Sequence, residues 1–222
     1  MVHFAYPGAR VPASLAVALS LALPIGGCST AYYGTLEKFG IEKRDILADR
    51  VEDARGAQED AREQFDDALE RYQAVVQVDG GDLEDIYDRL NASFKKSQDE
   101  AQEVTDRIEA VEDVAEDLFE EWQQELGQYS NPSLKQQSEA LLRDTRSDYQ
   151  TMLVAMKRAE ASMQPVLSLF QDQVLFLRHN LNARAIGSLQ SELGNIEAAT
   201  AAAIADMERS IAEATRFIDS MK

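Results

Sequence analysis

Few residues in this 222-residue chain carry side chains able to do chemistry of their own. It has one cysteine, Cys28, and two histidines, His3 and His179. A zinc site needs several Cys or His ligands, c-type haem attachment needs paired cysteines, and a di-iron bundle needs Glu-x-x-His pairs on facing helices; none of these spacings is present. No glycine-rich loop leads into a lysine followed by serine or threonine, the arrangement that cradles phosphate. His179 falls near a helix end, where it reads as a partner of the helix dipole or of a turn rather than as a metal ligand. These patterns point away from an enzyme: no catalytic residue, metal or cofactor is expected.

Cys28 is the exception, because of what precedes it. Met1 to Arg10 holds a single base, Val11 to Ile25 is almost without charge, and Gly26-Gly27 leads into the cysteine. That is the layout of a secretory leader, and the apolar run, interrupted by Pro12 and Pro24, is too short for a comfortable membrane span. Ile25-Gly26-Gly27-Cys28 resembles the bacterial lipobox, in which the cysteine receives diacylglycerol; a free thiol near a conventional cleavage site is the alternative. Residues 1–27 then read as a signal peptide, 28–35 as a lipidated N-terminus and tether, and 36–222 as one helical domain. Ser29 follows the cysteine, and the resemblance to lipoproteins with no aspartate there implies the periplasmic face of the outer membrane, with the inner membrane as alternative. Each buried acyl methylene contributes about 0.8 kcal/mol, so the bilayer itself is the first expected partner.

Forty acidic against 22 basic residues give a formal charge of −18, and losing the leader with Arg10 takes it to −19. Such a chain repels phosphate, so nucleic acid is excluded as a partner. The acids concentrate between Asp82 and Glu125, with 16 acids against 4 bases. Within that stretch Glu109, Glu112, Asp113, Glu116, Asp117, Glu120 and Glu121 make an acidic face, read first as solvated surface and otherwise as a site for a basic partner or loosely held divalent cations. With one cysteine a disulfide framework is impossible, and packing alone must hold the fold.

The periodic signal throughout the mature chain is helical. Three breaks divide it: Asp79-Gly80-Gly81-Asp82, Gly127 to Pro132, and Asn180 to Asn182. Glycines suit helix ends, Asp82, Asn131 and Asn182 can cap the next start, and Pro132 suits a first helical position. Four helices are therefore expected, about Leu36 to Val78, Leu83 to Tyr129, Leu134 to Leu181 and Ala183 to Met221. Each carries a 4-3 seam. The first runs Leu47, Val51, Ala54, Gln58, Ala61, Phe65, Ala68, Tyr72, Val75, and the second Leu90, Phe94, Ser97, Ala101, Val104, Ile108, Val111, Ala115, Leu118, Trp122. The third runs Leu142, Thr145, Tyr149, Met152, Met156, Ala159, Met163, Val166, Phe170, and the fourth Ile186, Leu189, Leu193, Ile196, Thr200, Ala203, Met207. Similar lengths and short connections predict an all-α, elongated, antiparallel four-helix bundle with coiled-coil-like packing. A three-helix bundle with the fourth helix folded across one end is the competitor.

Two local features bear on binding. Pro165 sits inside the third helix, where it should kink the backbone. After it, Val166 to Leu177 is apolar on most sides, which reads either as a helix enclosed by the other three or as a partner or self-association surface formed by Val166, Phe170, Val174, Phe176 and Leu177. Near the anchor, Tyr32, Tyr33, Lys38, Lys43 and Arg44 are candidates to meet lipid headgroups, the alternative being ordinary pairing with Glu37, Glu42 and Asp45.

The runs Ala31-Tyr32-Tyr33, Glu37-Lys38-Phe39-Gly40-Ile41, Lys43 to Leu47 and Asp49 to Arg55, with Asp172 to Leu177 and His179 to Ala183 later, resemble a bacterial lipoprotein family catalogued as domain of unknown function 2959. The resemblance implies a lipid anchor and a helical fold across the mature chain, and brings no activity with it. The expected role is a noncatalytic helical scaffold, spacer or regulator of other envelope proteins. The second expectation is a module that takes an apolar ligand or partner helix through Val166 to Leu177.

Overall fold

The computed structural model describes residues 43–77, 83–180 and 183–221. They form α1 (Lys43–Val76), α2 (Leu83–Glu125), a 3-10 turn (Leu126–Gln128), α3 (Pro132–His179) and α4 (Ala183–Met221). The second break follows the sequence logic closely. Asn131 is extended at φ −94°, its side chain accepts from the Ser133 and Leu134 amides, and Pro132 takes the first turn, where no intrahelical donor is needed. The glycine break at 79–82 and the Asn182 cap lie outside the described residues.

Cross-helix contacts fix the topology. Lys43 meets Glu121 and Gln64 meets Ser97 between α1 and α2, while Trp122 meets Ser138 and Lys157 meets Glu112 between α2 and α3. Tyr149 faces Phe217 and Arg158 meets Asp206 between α3 and α4, while Tyr72 reaches Leu189 and Arg62 meets Glu208 between α1 and α4. In every pair one number rises as the other falls, so neighbours are antiparallel and the ring closes in the order α1, α2, α3, α4. The fourth helix runs along both α1 and α3, which rules out the three-helix arrangement. With 48 residues in α3, the rod is about 70 Å long at 1.5 Å per residue.

The seams meet on the bundle axis. All nine residues of the first seam are buried, as are Leu90 through Ala115 of the second and Met152 through Phe170 of the third. The α4 seam is buried at Leu189, Ile196, Thr200, Ala203 and Met207 and continues through Ala214, Phe217 and Met221. Pro165 does not interrupt α3. It lies on the solvent side with Ala161, whose carbonyl loses the Pro165 donor, so water can satisfy that oxygen.

One face of the Val166 to Leu177 stretch is enclosed. Val166, Phe170, Val174 and Leu177 are core residues, because α3 turns that face toward the axis, and Phe170 sits edge-on to Tyr72 at 5.9 Å. Of the five residues read as a partner surface only Phe176 is exposed, at 37 %, beside Leu175 at 47 %. The expected surface is therefore not an open face.

The core is not wholly apolar. Gln58 is fully buried with neither amide atom hydrogen-bonded, and Thr200 and Ser210 are fully buried with unpartnered hydroxyls. Gln64 does better, donating weakly to Ser97 Oγ at 3.3 Å. A buried amide without partners costs free energy that an apolar side chain of similar size does not. Gln58→Leu is expected to stabilise the fold by about 1–3 kcal/mol, read as a higher urea midpoint; a lower midpoint would show that the amide is satisfied in solution. Phe65→Ala removes a fully buried ring and should cost about 3–5 kcal/mol in the same measurement.

Candidate functional site at the stepped end of the bundle

The four helices do not stop at one level. α1 begins at Lys43 and α4 ends at Met221, and both termini line a cleft together with Leu118, Trp122, Leu141 and Thr145. Beyond that level α2 runs on into the 3-10 turn, and α3 returns from Pro132. The nine helical steps from Pro132 to Leu141 carry the α2–α3 hairpin roughly 14 Å past the level of Lys43 and Met221. The cleft, about 480 Å³, occupies the step. Its floor is apolar, from Leu118, Trp122 and Met221, and its rim is charged, from Lys43, Arg44, Glu121 and Glu125.

Several contacts hold the step. Lys43 Nζ lies 2.8 Å from a Glu121 carboxylate oxygen. The Trp122 indole N–H donates to Ser138 Oγ at 2.8 Å, tying the two strands of the hairpin where it leaves the bundle. Arg146 donates to the Phe119 carbonyl at 3.1 Å and lies 5.3 Å from the centroid of that ring, within range for a cation–π contact. Phe119 packs on Tyr149 at 5.4 Å, and Tyr149 on Phe217 at 6.1 Å, so an aromatic cluster closes the core beneath the cleft.

Electrostatics here are set by α2. Burial first, and then the Glu112 and Glu116 charges, push the Tyr149 phenol up to about 12. Lys157 is held above its ordinary value chiefly by its hydrogen bond to Glu112, with Glu160 adding to it against the opposing effect of burial. Within the acidic face Glu109, Asp113, Glu116 and Glu120 are exposed, whereas Glu112 and Glu121 pair with Lys157 and Lys43. Among the described residues no cluster of three or more His, Cys, Asp or Glu is placed to hold a metal ion.

Of the residues singled out from sequence for the membrane-proximal end, Lys43 and Arg44 line this cleft. Cys28, Tyr32, Tyr33 and Lys38 lie outside the described residues. Sequence reasoning missed the hairpin tip. Tyr129, Leu134 and Leu141 are exposed at 42 %, 50 % and 59 %. The available signal was charge: between Leu126 and Leu142 the only charged residues are Lys135 and Glu139, and these face one another at 4.0 Å. His179 is exposed in the last turn of α3, the position read for it from sequence.

A family model described as "Protein of unknown function (DUF2959)" matches residues 32–221. No curated protein matches the chain. No described helix is long and apolar enough to cross a membrane.

Two measurements check the geometry of this end. Ser138→Ala removes the acceptor of the Trp122 indole, so a loss of about 1 kcal/mol is expected, with a shift of fluorescence from the single tryptophan; an unchanged spectrum would contradict the contact. Tyr149 should ionise near 12 rather than near 10. A raised folded-state value means that its contribution to stability is whole below pH 10 and is lost as pH rises toward 12. Tyr149→Phe should therefore flatten the fall in stability across that window, and an equally steep fall in the variant would count against the assignment.

Proposed function

The chain belongs to the DUF2959 family, and from that premise we propose that it is a noncatalytic, lipid-anchored protein of the bacterial envelope that spaces, scaffolds or regulates other envelope proteins. The observation that carries this reading is the relation between anchor and rod. Cys28 ends an apolar leader, and fifteen residues later, at Lys43, the chain enters a bundle about 70 Å long. A tether joined to one end of a long helical body fixes that end at the membrane and leaves the length of the body for protein contacts. Removal of residues 1–27 and acylation of Cys28 would place the mature chain on the periplasmic face of the outer membrane, in keeping with Ser29.

The long solvated faces support a scaffold. Their ion pairs are mostly within one helix and exposed, as with Arg55 to Glu52 and Glu59, and so contribute little to stability. They keep a strongly acidic rod soluble and leave its surface open to a basic partner. The alternative of an apolar ligand or helix entering at Val166 to Leu177 is not favoured, since Val166, Phe170, Val174 and Leu177 are already packed by the protein's own helices.

Mass spectrometry of the mature protein from its own cells is expected to show an acylated Cys28 as the first residue; an unmodified cysteine in an uncleaved chain would sink the anchor. Crosslinking in intact cells should recover defined envelope-protein neighbours. Recovery of none above background would remove the scaffold role.

A further inference from the structure

Three observations meet at the hairpin tip. It lies past the level of Lys43 and Met221, at the end where the described run of α1 begins. It exposes Tyr129, Leu134 and Leu141, with Leu134 and Leu141 one heptad apart and hence on one face of α3. It is also electrically quiet: Lys135 and Glu139 are its only charges and oppose each other, whereas Glu120, Glu121 and Glu125 crowd the preceding turns of α2.

An anionic membrane surface repels a body of charge −18 as a whole, and the tip, whose two charges oppose each other, escapes that repulsion better than the acidic turns of α2 beside it. A tyrosine beside leucines suits the boundary between headgroups and acyl chains. Resting on the anchor reading above, we infer that the α2–α3 tip is a second membrane contact: Tyr129, Leu134 and Leu141 enter the lipid interface and stand the rod end-on, with the Leu175 and Phe176 end held away from the bilayer. Fourteen residues separate Cys28 from Lys43. A second point of attachment at the tip orients the rod.

The test uses full-length protein processed in its own cells, with acylation of Cys28 verified by mass spectrometry, in vesicles of phosphatidylethanolamine and phosphatidylglycerol. An environment-sensitive fluorophore is attached at Leu134→Cys or, at the far end, at Phe176→Cys; both positions are exposed, so the fold should tolerate the change. The label at 134 is expected to shift to the blue and to be quenched several-fold more by doxyl-labelled phospholipid than the label at 176. Equal quenching at both positions, or none at either, on acylated protein overturns the tip contact and leaves the anchor standing. A blue shift at 134 that grows with protein density but resists lipid quenching would mean that a second copy covers the tip, and also overturns it. If Cys28 proves unmodified, the anchor reading falls and the tip inference falls with it.

Discussion

Each helix carries one apolar stripe along its length, and the exclusion of water from four such stripes on a shared axis is the constraint from which the rest of the structure follows. The sequence has no cysteine beyond Cys28, so no disulfide within the chain shares the task. Because each stripe has a 4-3 period, the helices must lie nearly parallel to one another for the stripes to stay in register over their full length. Short connections then make neighbours antiparallel, and a rod results rather than a globule. The polar residues inside the seam, Gln58, Thr200 and Ser210, are tolerated exceptions that weaken the core where they stand. A polar group at a seam position also penalises shifts of register, in which it would face different neighbours.

The same constraint explains why the two ends differ. At the far end Tyr72 satisfies its hydroxyl on the Leu189 carbonyl, and Gln190 donates to the Val76 carbonyl, so α1 finishes against α4 with its polar groups paired. At the stepped end α2 and α3 outrun their partners. There the α2 seam positions Leu118 and Trp122 are only partly buried, Phe119 turns inward to Tyr149, and a cleft opens beside Lys43 and Met221. Apolar surface that a closed bundle would bury is left facing outward on the side where the chain from Cys28 arrives.

Most of the fold was legible in the sequence because its determinants are local or periodic. The Asn131-Pro132 start carries its own capping chemistry, and the seams announce themselves by spacing alone. The boundaries that moved did so for local reasons: α2 stops at Glu125, where the backbone tightens into the 3-10 turn around Gly127, and α3 starts two residues earlier than its first leucine because Pro132 opens it. What spacing does not encode is relative length in space. That Val166, Phe170, Val174 and Leu177 are enclosed depends on α1 and α4 reaching that level. That Tyr129, Leu134 and Leu141 are exposed depends likewise on which helices lie beside them at the other end. Neither follows from any one segment, although the scarcity of charge between Leu126 and Leu142 is visible in the sequence.

The proposed arrangement, an anchored rod standing on its hairpin tip, differs in height from a rod lying along the membrane. Neutron reflectometry of the acylated protein on a supported bilayer measures the thickness of the protein layer directly. End-on attachment predicts a layer of about 70 Å, the rise of the 48-residue α3. A layer of only about 20–25 Å, two helix diameters, would mean that the rod lies along the membrane and would contradict the proposed arrangement.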